Sequence, residues 1–298
     1  MTENTRAVRR VIGCMTGTSM DALDIALVRA SGIGLTMSIT VEDFISIPLG
    51  EISNLLRKIS RQRALSAFEY KKIEREFSLL HLKSIKKLKR DRKIDLISIH
   101  GQTVYHNPPL SWQMINPSII AHGLNIKTVY DMRAADLALG GEGAPITPIA
   151  DFILFRNRKL RTAVVNLGGF CNITLIPRIE ANKLNAENLF NWSREVLGKD
   201  ICLCNQILDE ISRKFFNSQY DKDGLMAATG RILAEPFAEL YANLLAQSRG
   251  GKSLGTENES LNWLDKYGAE ENPTDLARTA CAAIAGVICQ DAICDVMI

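Results

Sequence analysis

A polar turn between two predicted strands constrains the fold of this chain more than any other stretch. The run Ala7-Val8-Arg9-Arg10-Val11-Ile12 before the turn is rich in β-branched residues, and after it Leu23, Ile25 and Leu27 alternate with other residues. These patterns predict two strands joined as a β-hairpin. Glycine, threonine and serine within residues 13–24 can present backbone N–H groups and hydroxyls to a phosphate.

Two aspartates of the same stretch, Asp21 and Asp24, carry the oxygen ligands that Mg²⁺ prefers. The alternative is that glycine, serine and aspartate serve only the conformation of an ordinary hairpin turn. The common nucleotide loop G-x-x-x-x-G-K-[ST] does not fit, because Gly13 and Gly17 have the wrong spacing and Thr18 stands where lysine is needed. A phosphate held by this turn therefore implies another fold.

The composition favours a cytoplasmic globular protein. The 298 residues are 46% hydrophobic, enough for one large domain or two lobes, and 36 basic against 33 acidic residues give a net charge of +3, too balanced to indicate nucleic acid. No apolar stretch approaches the roughly 20 residues that span a bilayer, and residues 1–6 lack the apolar core of a signal peptide. The seven cysteines fit a reducing compartment, and Cys202 and Cys204 have no nearby histidine to complete a metal site.

The segments after the hairpin predict an α/β order that ends in a possible ligand site. Residues 39–48 are typical of a strand, residues 52–59 of a short helix and residues 66–92 of one long amphipathic helix. The run Ile94-Asp95-Leu96-Ile97-Ser98-Ile99 predicts a buried strand. It delivers His100-Gly101-Gln102-Thr103 at its carboxyl end, where ligands collect in open α/β sheets.

Polar side chains are dense among glycines and prolines from residue 100 to residue 148. Such a stretch offers the donors and acceptors that a sugar pocket requires, although several of them can instead satisfy loop backbone. The candidate sugar-contacting residues of this stretch include His100, Gln102, His106, Gln113, Asn116, Asp131, Arg133, Asp136 and Glu142.

A second hairpin signal lies in the other half of the chain. Residues 162–167 and 170–175 read as strands, and the paired glycines Gly168 and Gly169 between them allow close backbone approach or positive φ. Taken alone this is an ordinary hairpin, whose flanking asparagines can hold a phosphate or the turn itself. Matched with the first hairpin, it indicates two similar lobes that each present a polar turn to one cleft.

A loop is expected at residues 198–204. This loop is expected to run into a helix whose apolar residues include Ile207, Leu208 and Ile211. A helix start directly after Asp200 would place the Asp200 carboxylate near backbone donors, for capping or for chemistry. The other predicted elements are a turn at residues 220–224, a helix at residues 232–247 and a last helix that begins at Pro273 with Asn272 as its cap.

Six segments, spread over nearly the whole chain, match one known family in type and order. They are Met15-Thr16-Gly17-Thr18-Ser19-Met20-Asp21-Ala22-Leu23-Asp24; His100-Gly101-Gln102-Thr103-Val104-Tyr105-His106; Asp131-Met132-Arg133 through Asp136 to Gly140-Gly141-Glu142-Gly143-Ala144-Pro145; Asn166-Leu167-Gly168-Gly169-Phe170-Cys171-Asn172-Ile173-Thr174; Tyr220-Asp221-Lys222-Asp223-Gly224; and Lys252-Ser253-Leu254-Gly255. Together they resemble the anhydro-N-acetylmuramic acid kinases, a family of the actin-like, sugar-kinase and Hsp70 fold.

The resemblance implies an α/β, two-lobed actin-like ATPase fold of ribonuclease H-like type. The lobes would span residues 1–160 and 161–298, with the active site in the interlobe cleft. It also implies ATP as phosphoryl donor, Mg²⁺ as cofactor and the amino sugar 1,6-anhydro-N-acetylmuramic acid as substrate. In this family one enzyme hydrolyses the anhydro bridge and phosphorylates the freed 6-oxygen, giving N-acetylmuramic acid 6-phosphate in cell-wall recycling. Full-length members are expected to dimerise.

The resemblance also implies which residues do this chemistry. Asp200 is expected to be the base that activates water, and Gln102, Asp131 and Arg133 are expected to contact the sugar. Asp21 is expected to hold the metal ion. The expected nucleotide-binding residues are Gly17, Thr18, Ser19, Met20, Asp21, Ala22, Leu23, Asp24, Gly168 and Gly169.

The chain departs from the family's pattern in three respects: one loop, two single residues and one missing segment. It lacks the glycines and proline of the usual Gly-Phe-Asp-Thr-Gly-Pro-Gly-Asn loop around Asp200. In an alternative alignment, Asn191 stands at the position of the family's aspartate. Glu142 replaces the usual glutamine and Asn116 the usual aspartate, so a different sugar preference is expected. The glycine-rich adenosine-binding segment is missing, so an incomplete second lobe with weak or lost ATP binding is expected. A kinase for a different sugar and a catalytically dead sugar-binding relative are therefore the alternatives.

Overall fold

The computed structural model describes residues 8–179, 186–250 and 261–298. The chain divides into two compact units, unit 1 at residues 1–146 and unit 2 at residues 147–298. The elements of unit 1 are β1 (Val8–Thr16), β2 (Ala22–Ser31), β3 (Ser38–Pro48), α1 (Glu51–Ser60), α2 (Ala67–Lys89), β4 (Leu96–Ile99), β5 (Gln102–Asn107), β6 (Leu110–Met114), α3 (Pro117–Leu124), β7 (Thr128–Tyr130) and α4 (Met132–Ala138), with a 3₁₀ turn at Gly34–Thr36.

Unit 2 contains the second predicted hairpin and the last predicted helix. Its elements are α5 (Pro148–Phe155), β8 (Thr162–Leu167), β9 (Phe170–Ile176), α6 (Ala186–Ser193), β10 (Leu197–Leu203), α7 (Asn205–Phe215), α8 (Leu225–Thr229), α9 (Ala234–Arg249), α10 (Leu261–Tyr267), α11 (Pro273–Asp291) and β11 (Val296–Met297), with a 3₁₀ turn at Lys222–Gly224.

The main sheet of unit 1 has the order β3-β2-β1-β4-β7. Its first three strands are antiparallel, whereas β4 runs parallel to β1 and β7 parallel to β4. The alternation along β2 explains how the sheet packs, because Leu23, Ile25 and Leu27 are fully buried on one face. Phe77 and Ile85 of α2 are buried in the same cluster, so the core of unit 1 lies where α2 covers the sheet.

The sheet of unit 2 has the order β10-β9-β8-β11. The strands β8, β9 and β10 are antiparallel, and β11 runs parallel to β8. Side chains from α7, α9 and α11 pack with one face of this sheet to form a separate core. Both units therefore repeat one arrangement, in which three antiparallel strands are followed by a fourth strand that is parallel to the first and lies beside it.

Most of the predicted elements are confirmed. Both hairpins, the strand at residues 39–48, the long helix at residues 66–92 and the helix that begins at Pro273 are present, and the Asn272 side chain accepts a hydrogen bond from the Thr274 N–H as a cap. The segment Lys252-Ser253-Leu254-Gly255 lies outside the described residues. Among the described helices, none is both long and apolar enough to cross a membrane.

The loop predicted at residues 198–204 is wrong, because this segment is the strand β10. Ile201, Cys202 and Leu203 are fully buried or nearly so in the core of unit 2. Their burial, together with pairing to β9, favours an extended backbone over a loop. The helix predicted to follow this segment, with Ile207, Leu208 and Ile211 apolar, is confirmed as α7, but it does not start directly after Asp200. The helix α7 begins at Asn205, so Asp200 does not cap a helix.

Candidate functional site

The turn between β1 and β2 is closed by its own backbone. The Met20 N–H donates to the Gly17 carbonyl over 3.2 Å. Met20 has a φ of 52°, a conformation that costs a residue with a side chain about 1–3 kcal/mol. Its side chain is buried in the core of unit 1, which offsets that cost. The turn is thus anchored at Met20, while Thr18 is exposed beside it.

The carboxylate of Asp21 is oriented by two neighbours. Its Oδ1 atom accepts hydrogen bonds from the Ser19 hydroxyl over 2.7 Å and from the Ala22 N–H over 2.9 Å. Asp21 is exposed, and so is Asp24 farther along β2. No group of three or more potential metal-ligating side chains occurs within the described parts of the chain. One exposed carboxylate is nevertheless compatible with Mg²⁺, which keeps several waters and takes its other ligands from substrate phosphates.

Three side chains from outside the hairpin hold carbonyl groups of the turn. The Arg57 Nη2 atom donates to the Ser19 carbonyl over 2.6 Å, and the Ser53 hydroxyl donates to the Met20 carbonyl over 2.5 Å. The Gln102 Nε2 atom donates to the Gly17 carbonyl over 3.4 Å. Sequence reasoning missed Ser53 and Arg57, because nothing in the short helix α1 marks a residue that reaches back to the hairpin.

The segment after β4 passes directly under this turn. The Thr16 hydroxyl donates to the Gly101 carbonyl over 3.2 Å. Gly101 has a φ of +76°, and a Cβ atom there would lie 3.1 Å from the Met114 carbonyl oxygen, so glycine is required. The Gln102 side chain is fully buried, and its Nε2 atom also donates to the Thr103 carbonyl. Its Oε1 atom has no hydrogen-bond partner in the described part of the chain.

Arg133 joins α4 to the same segment. Its Nη2 atom donates to His100 Nε2 over 3.2 Å and its Nη1 atom donates to the Gly143 carbonyl over 2.5 Å. Burial, and then the charge of Arg133, hold the pKa of His100 below its usual 6.5. His100 is therefore neutral near pH 7, with its Nε2 atom accepting from Arg133 and its Nδ1–H donating to the Gly101 carbonyl over 2.9 Å.

The glycine-rich loop after α4 wraps the carboxylate of Asp136. The Gly143 N–H donates to Asp136 Oδ2 over 2.7 Å, and a Cβ atom on Gly141 would lie only 2.3 Å from the same oxygen. Asp131, at the start of α4, has a φ of 50° and is half-buried. Asp131 also tends to raise the pKa of His100 through its charge, which places it near the Arg133 network.

The glycine pair of the second hairpin contacts the start of α7. The Gly169 carbonyl accepts from the Cys204 N–H over 2.9 Å, and the Gly168 carbonyl accepts from the Asn205 N–H over 3.0 Å. The Asn205 side chain donates to the Leu167 carbonyl over 2.8 Å. As in the first hairpin, carbonyl groups of the turn are held by protein donors.

Asp200 lies in the middle of β10 and is half-buried. Its register partner on β9 is Asn172, whose partner on β8 is Asn166. Direct partners in antiparallel strands share a face of the sheet, so these three residues form a polar row across three strands. Thr174 lies on the same face and donates to Asp151 of α5 over 2.6 Å.

The buried thiols do not offer a nucleophile. Burial raises the pKa of Cys14 and of Cys202 to about 12 and that of Cys204 to about 11, and it raises the pKa of Cys171 as well. A thiol with such a pKa is protonated near pH 7 and is inert. The carboxylates are therefore the better candidates for acid–base chemistry in the described residues.

The structure brings the predicted residues together in two sets. In unit 1 the turn at residues 17–21 contacts Gln102, and the neighbouring His100 contacts Arg133. In unit 2 the glycine pair Gly168 and Gly169 contacts the start of α7, which follows the strand that carries Asp200.

Comparison with known proteins gives one consistent result. The sequence profile of the anhydro-N-acetylmuramic acid kinase family matches residues 9–296. The chain is 32% identical to an anhydro-N-acetylmuramic acid kinase of Picosynechococcus sp., over 89% of this chain and 72% of that protein. It is 29% identical to the kinase of the same name from Clostridioides difficile, over 85% of this chain and 67% of that protein, and 28% identical to one from Bacillus thuringiensis subsp. konkukian, over 87% and 70%.

Proposed function

The chain belongs to the anhydro-N-acetylmuramic acid kinase family, and we propose from this membership that it uses ATP to convert 1,6-anhydro-N-acetylmuramic acid to N-acetylmuramic acid 6-phosphate. It is a kinase of cell-wall recycling. The observation that carries the proposal is the turn at residues 17–21. Side chains from outside the hairpin donate hydrogen bonds to its carbonyl groups, and the Asp21 carboxylate is exposed beside them. We also propose that it works in the cytoplasm, where ATP is supplied.

The repeated strand order supports a two-lobed, actin-like fold of ribonuclease H-like type. Three antiparallel strands with a parallel fourth occur once in each unit, as β3-β2-β1-β4 and as β10-β9-β8-β11. In each repeat a polar turn joins the first two strands. We propose that each unit forms one lobe and contributes one phosphate-binding turn. Residues 147–160 then belong to the second lobe, because α5 packs against β8 and β9.

The first turn would hold the triphosphate. Residues 17–24 offer backbone N–H groups and the Thr18 and Ser19 hydroxyls, and Gly168 and Gly169 would provide the second phosphate turn. Asp21 would hold Mg²⁺ through its exposed carboxylate. When bound, the metal ion supplies positive charge that stabilises the transferring phosphoryl group.

Asp200 would act as the general base. Its carboxylate takes a proton from a water molecule, whose oxygen forms a bond to the anomeric carbon C1 while the bond from C1 to O6 breaks. The freed O6 then forms a bond to the γ-phosphorus of ATP, and ADP leaves. A half-buried carboxylate in a row with two neutral amides has the acceptor capacity for this step.

Gln102, Asp131 and Arg133 would contact the sugar. Arg133 and His100 form a rigid pair, and Arg133 carries a positive charge that suits the lactyl carboxylate of a muramic acid. Gln102 is fully buried below the turn, so a contact of its Oε1 atom with the sugar would require the side chain to become exposed when the sugar binds. These contacts would place the sugar beside the first phosphate turn.

The direct test is product analysis. The purified protein is incubated with ATP, Mg²⁺ and 1,6-anhydro-N-acetylmuramic acid, and the products are separated and weighed by mass spectrometry. We expect equal amounts of ADP and N-acetylmuramic acid 6-phosphate. A reaction that consumes ATP only with another sugar would overturn the substrate assignment, and no reaction with any anhydro or free amino sugar would overturn the proposal.

A further inference from the structure

Four carbonyl groups of the turn at residues 17–21 accept hydrogen bonds from the protein. Gly17, Ser19 and Met20 each have a carbonyl oxygen held by a side chain, and the Asp21 carbonyl accepts from the Leu49 N–H over 2.9 Å. Carbonyl oxygens repel a phosphate because both carry negative charge. Their capture by donors below the turn therefore removes four acceptors from the surface that a phosphate would approach.

The same bonds fix the direction of the N–H groups. In a planar trans peptide the N–H group points away from the carbonyl of the preceding residue. Because Ser53 holds the Met20 carbonyl, the Asp21 N–H points away from α1. Because Gln102 holds the Gly17 carbonyl, the Thr18 N–H points away from the core. Outward-pointing N–H groups of this kind can line an anion-binding concavity. The Met20 N–H is not one of them, because it donates to the Gly17 carbonyl.

Two of the three donors lie one helical turn apart on α1 and support one another. The Arg57 Nε atom donates to the Ser53 hydroxyl over 3.2 Å, while the Ser53 hydroxyl donates to the Met20 carbonyl. This chain of bonds ends at the residue whose positive φ is strained. It also resists a rotation of the Met20–Asp21 peptide that would turn the carbonyl outward.

We infer that Ser53 and Arg57 are positioning residues for the nucleotide phosphates, acting through the turn at residues 17–21. This inference rests on the proposed function, because it assigns the turn to the phosphates of ATP. Neither residue touches the nucleotide. Ser53 keeps the Met20–Asp21 peptide in the orientation that presents the Asp21 N–H to an anion. Arg57 holds the Ser19 carbonyl away from that anion and donates to the Ser53 hydroxyl.

The test compares Michaelis constants for the two substrates. In Ser53→Ala and Arg57→Ala we expect the KM for ATP to rise about tenfold, because each variant loses a hydrogen bond that holds the turn. The KM for the sugar should stay within about twofold of the wild-type value. The inhibition constant of inorganic triphosphate, used as a competitor of ATP, should rise by the same factor. Arg57→Lys keeps the positive charge and one donor to the Ser19 carbonyl. Its KM for ATP should therefore lie about midway, on a logarithmic scale, between those of the wild type and Arg57→Ala.

Arg61 provides the matched control. Arg61 is the first residue after α1, and like Arg57 it lines a surface cavity of about 520 Å³. Among the described residues, its side chain makes no hydrogen bond to the turn, whereas that of Arg57 does. Arg61→Ala should leave both Michaelis constants unchanged. Equal rises for ATP and for the sugar in the Ser53 and Arg57 variants, or an equal effect of Arg61→Ala, would overturn the inference while the proposed function stands. A wild-type protein that does not turn over ATP would instead remove the proposed function.

Discussion

Asp200 on β10 and Asn172 on β9 are direct register partners in an antiparallel pair. The side chains of such partners have Cβ atoms about 4.5–5.5 Å apart, so each is part of the other's electrostatic environment. Asn172 in turn is the partner of Asn166 on β8. The proposed base thus has a neutral amide beside it, and a second amide one strand farther away.

This row predicts a shift in the pH profile. Asn172→Asp places a second carboxylate beside Asp200, and two neighbouring carboxylates resist simultaneous ionisation. We expect the acid limb of the kcat/KM profile to move to higher pH by about one unit. Asn166→Asp is the control, because its added charge lies one strand farther away and should shift the profile less. An unchanged profile in Asn172→Asp would show that Asp200 is not the group that titrates in catalysis.

Removal of the proposed base should stop the reaction. Asp200→Asn keeps the shape of the side chain but cannot accept a proton, so kcat should fall about 10²- to 10⁴-fold. The measurement is the rate of N-acetylmuramic acid 6-phosphate formation. Asp265→Asn is a matched carboxylate control, since Asp265 is exposed and forms an ion pair with Lys214 on the surface of unit 2. Product formation at the wild-type rate would remove Asp200 from the mechanism.

Substitution of Arg133 should raise the KM for the sugar and leave the KM for ATP nearly unchanged. A lysine at position 133 has a single ammonium group and cannot reproduce the fork of bonds to His100 and Gly143. In Arg133→Lys the KM for the sugar should therefore rise about tenfold or more, with the KM for ATP within about twofold. This pattern is the reverse of that expected for Arg57. If both arginines change the same Michaelis constant, at least one of the two assignments is wrong.

Stability should fall in mild acid because of His81. This residue is fully buried in α2, its Nδ1–H donates to the Phe77 carbonyl, and burial lowers its pKa to about 4. The unfolded chain takes up a proton near pH 6.5, whereas the folded chain does so only near pH 4. Protonation therefore favours the unfolded state in this window, and the free energy of unfolding should drop by about 3 kcal/mol from pH 6.5 to pH 4 through this group.

Urea unfolding of variants between pH 4 and pH 7 checks this. His81→Leu should lose most of the pH dependence in that window, whatever its absolute stability, because leucine does not titrate. His122→Leu, at an exposed position, should keep the wild-type dependence. The same slope in His81→Leu and wild type would contradict the assignment to His81.

The hairpins and the longest helix could be predicted from local patterns. Strand alternation around residues 17–24 and residues 168–169, and helical spacing over residues 66–92, each depend on neighbours in sequence that share one buried face. The motif order also pointed to the kinase family, and the comparisons confirm that family. The roles of the individual site residues are still predictions.

The segment at residues 198–204 could not be predicted in the same way. Its run Gly198-Lys199-Asp200 is typical of a loop, and strand formation there depends on β9 as a partner and on a buried face supplied by α9 and α11. A bulge between Asp200 and Cys202 then decides which side chains face the core. Local propensity is outweighed by such packing in short strands.

The sequence by itself determined where the two polar turns lie and that each joins two strands, because hydrophobic alternation and glycine position are local properties of the chain. Only the tertiary structure decided what stands behind the first turn and beside Asp200. Ser53 and Arg57 are 33 and 38 residues away from the carbonyl groups that they hold, and Asp200 meets Asn172 through strand register. Contacts of that kind form when a folded core brings distant segments together, and no local pattern in the sequence specifies them.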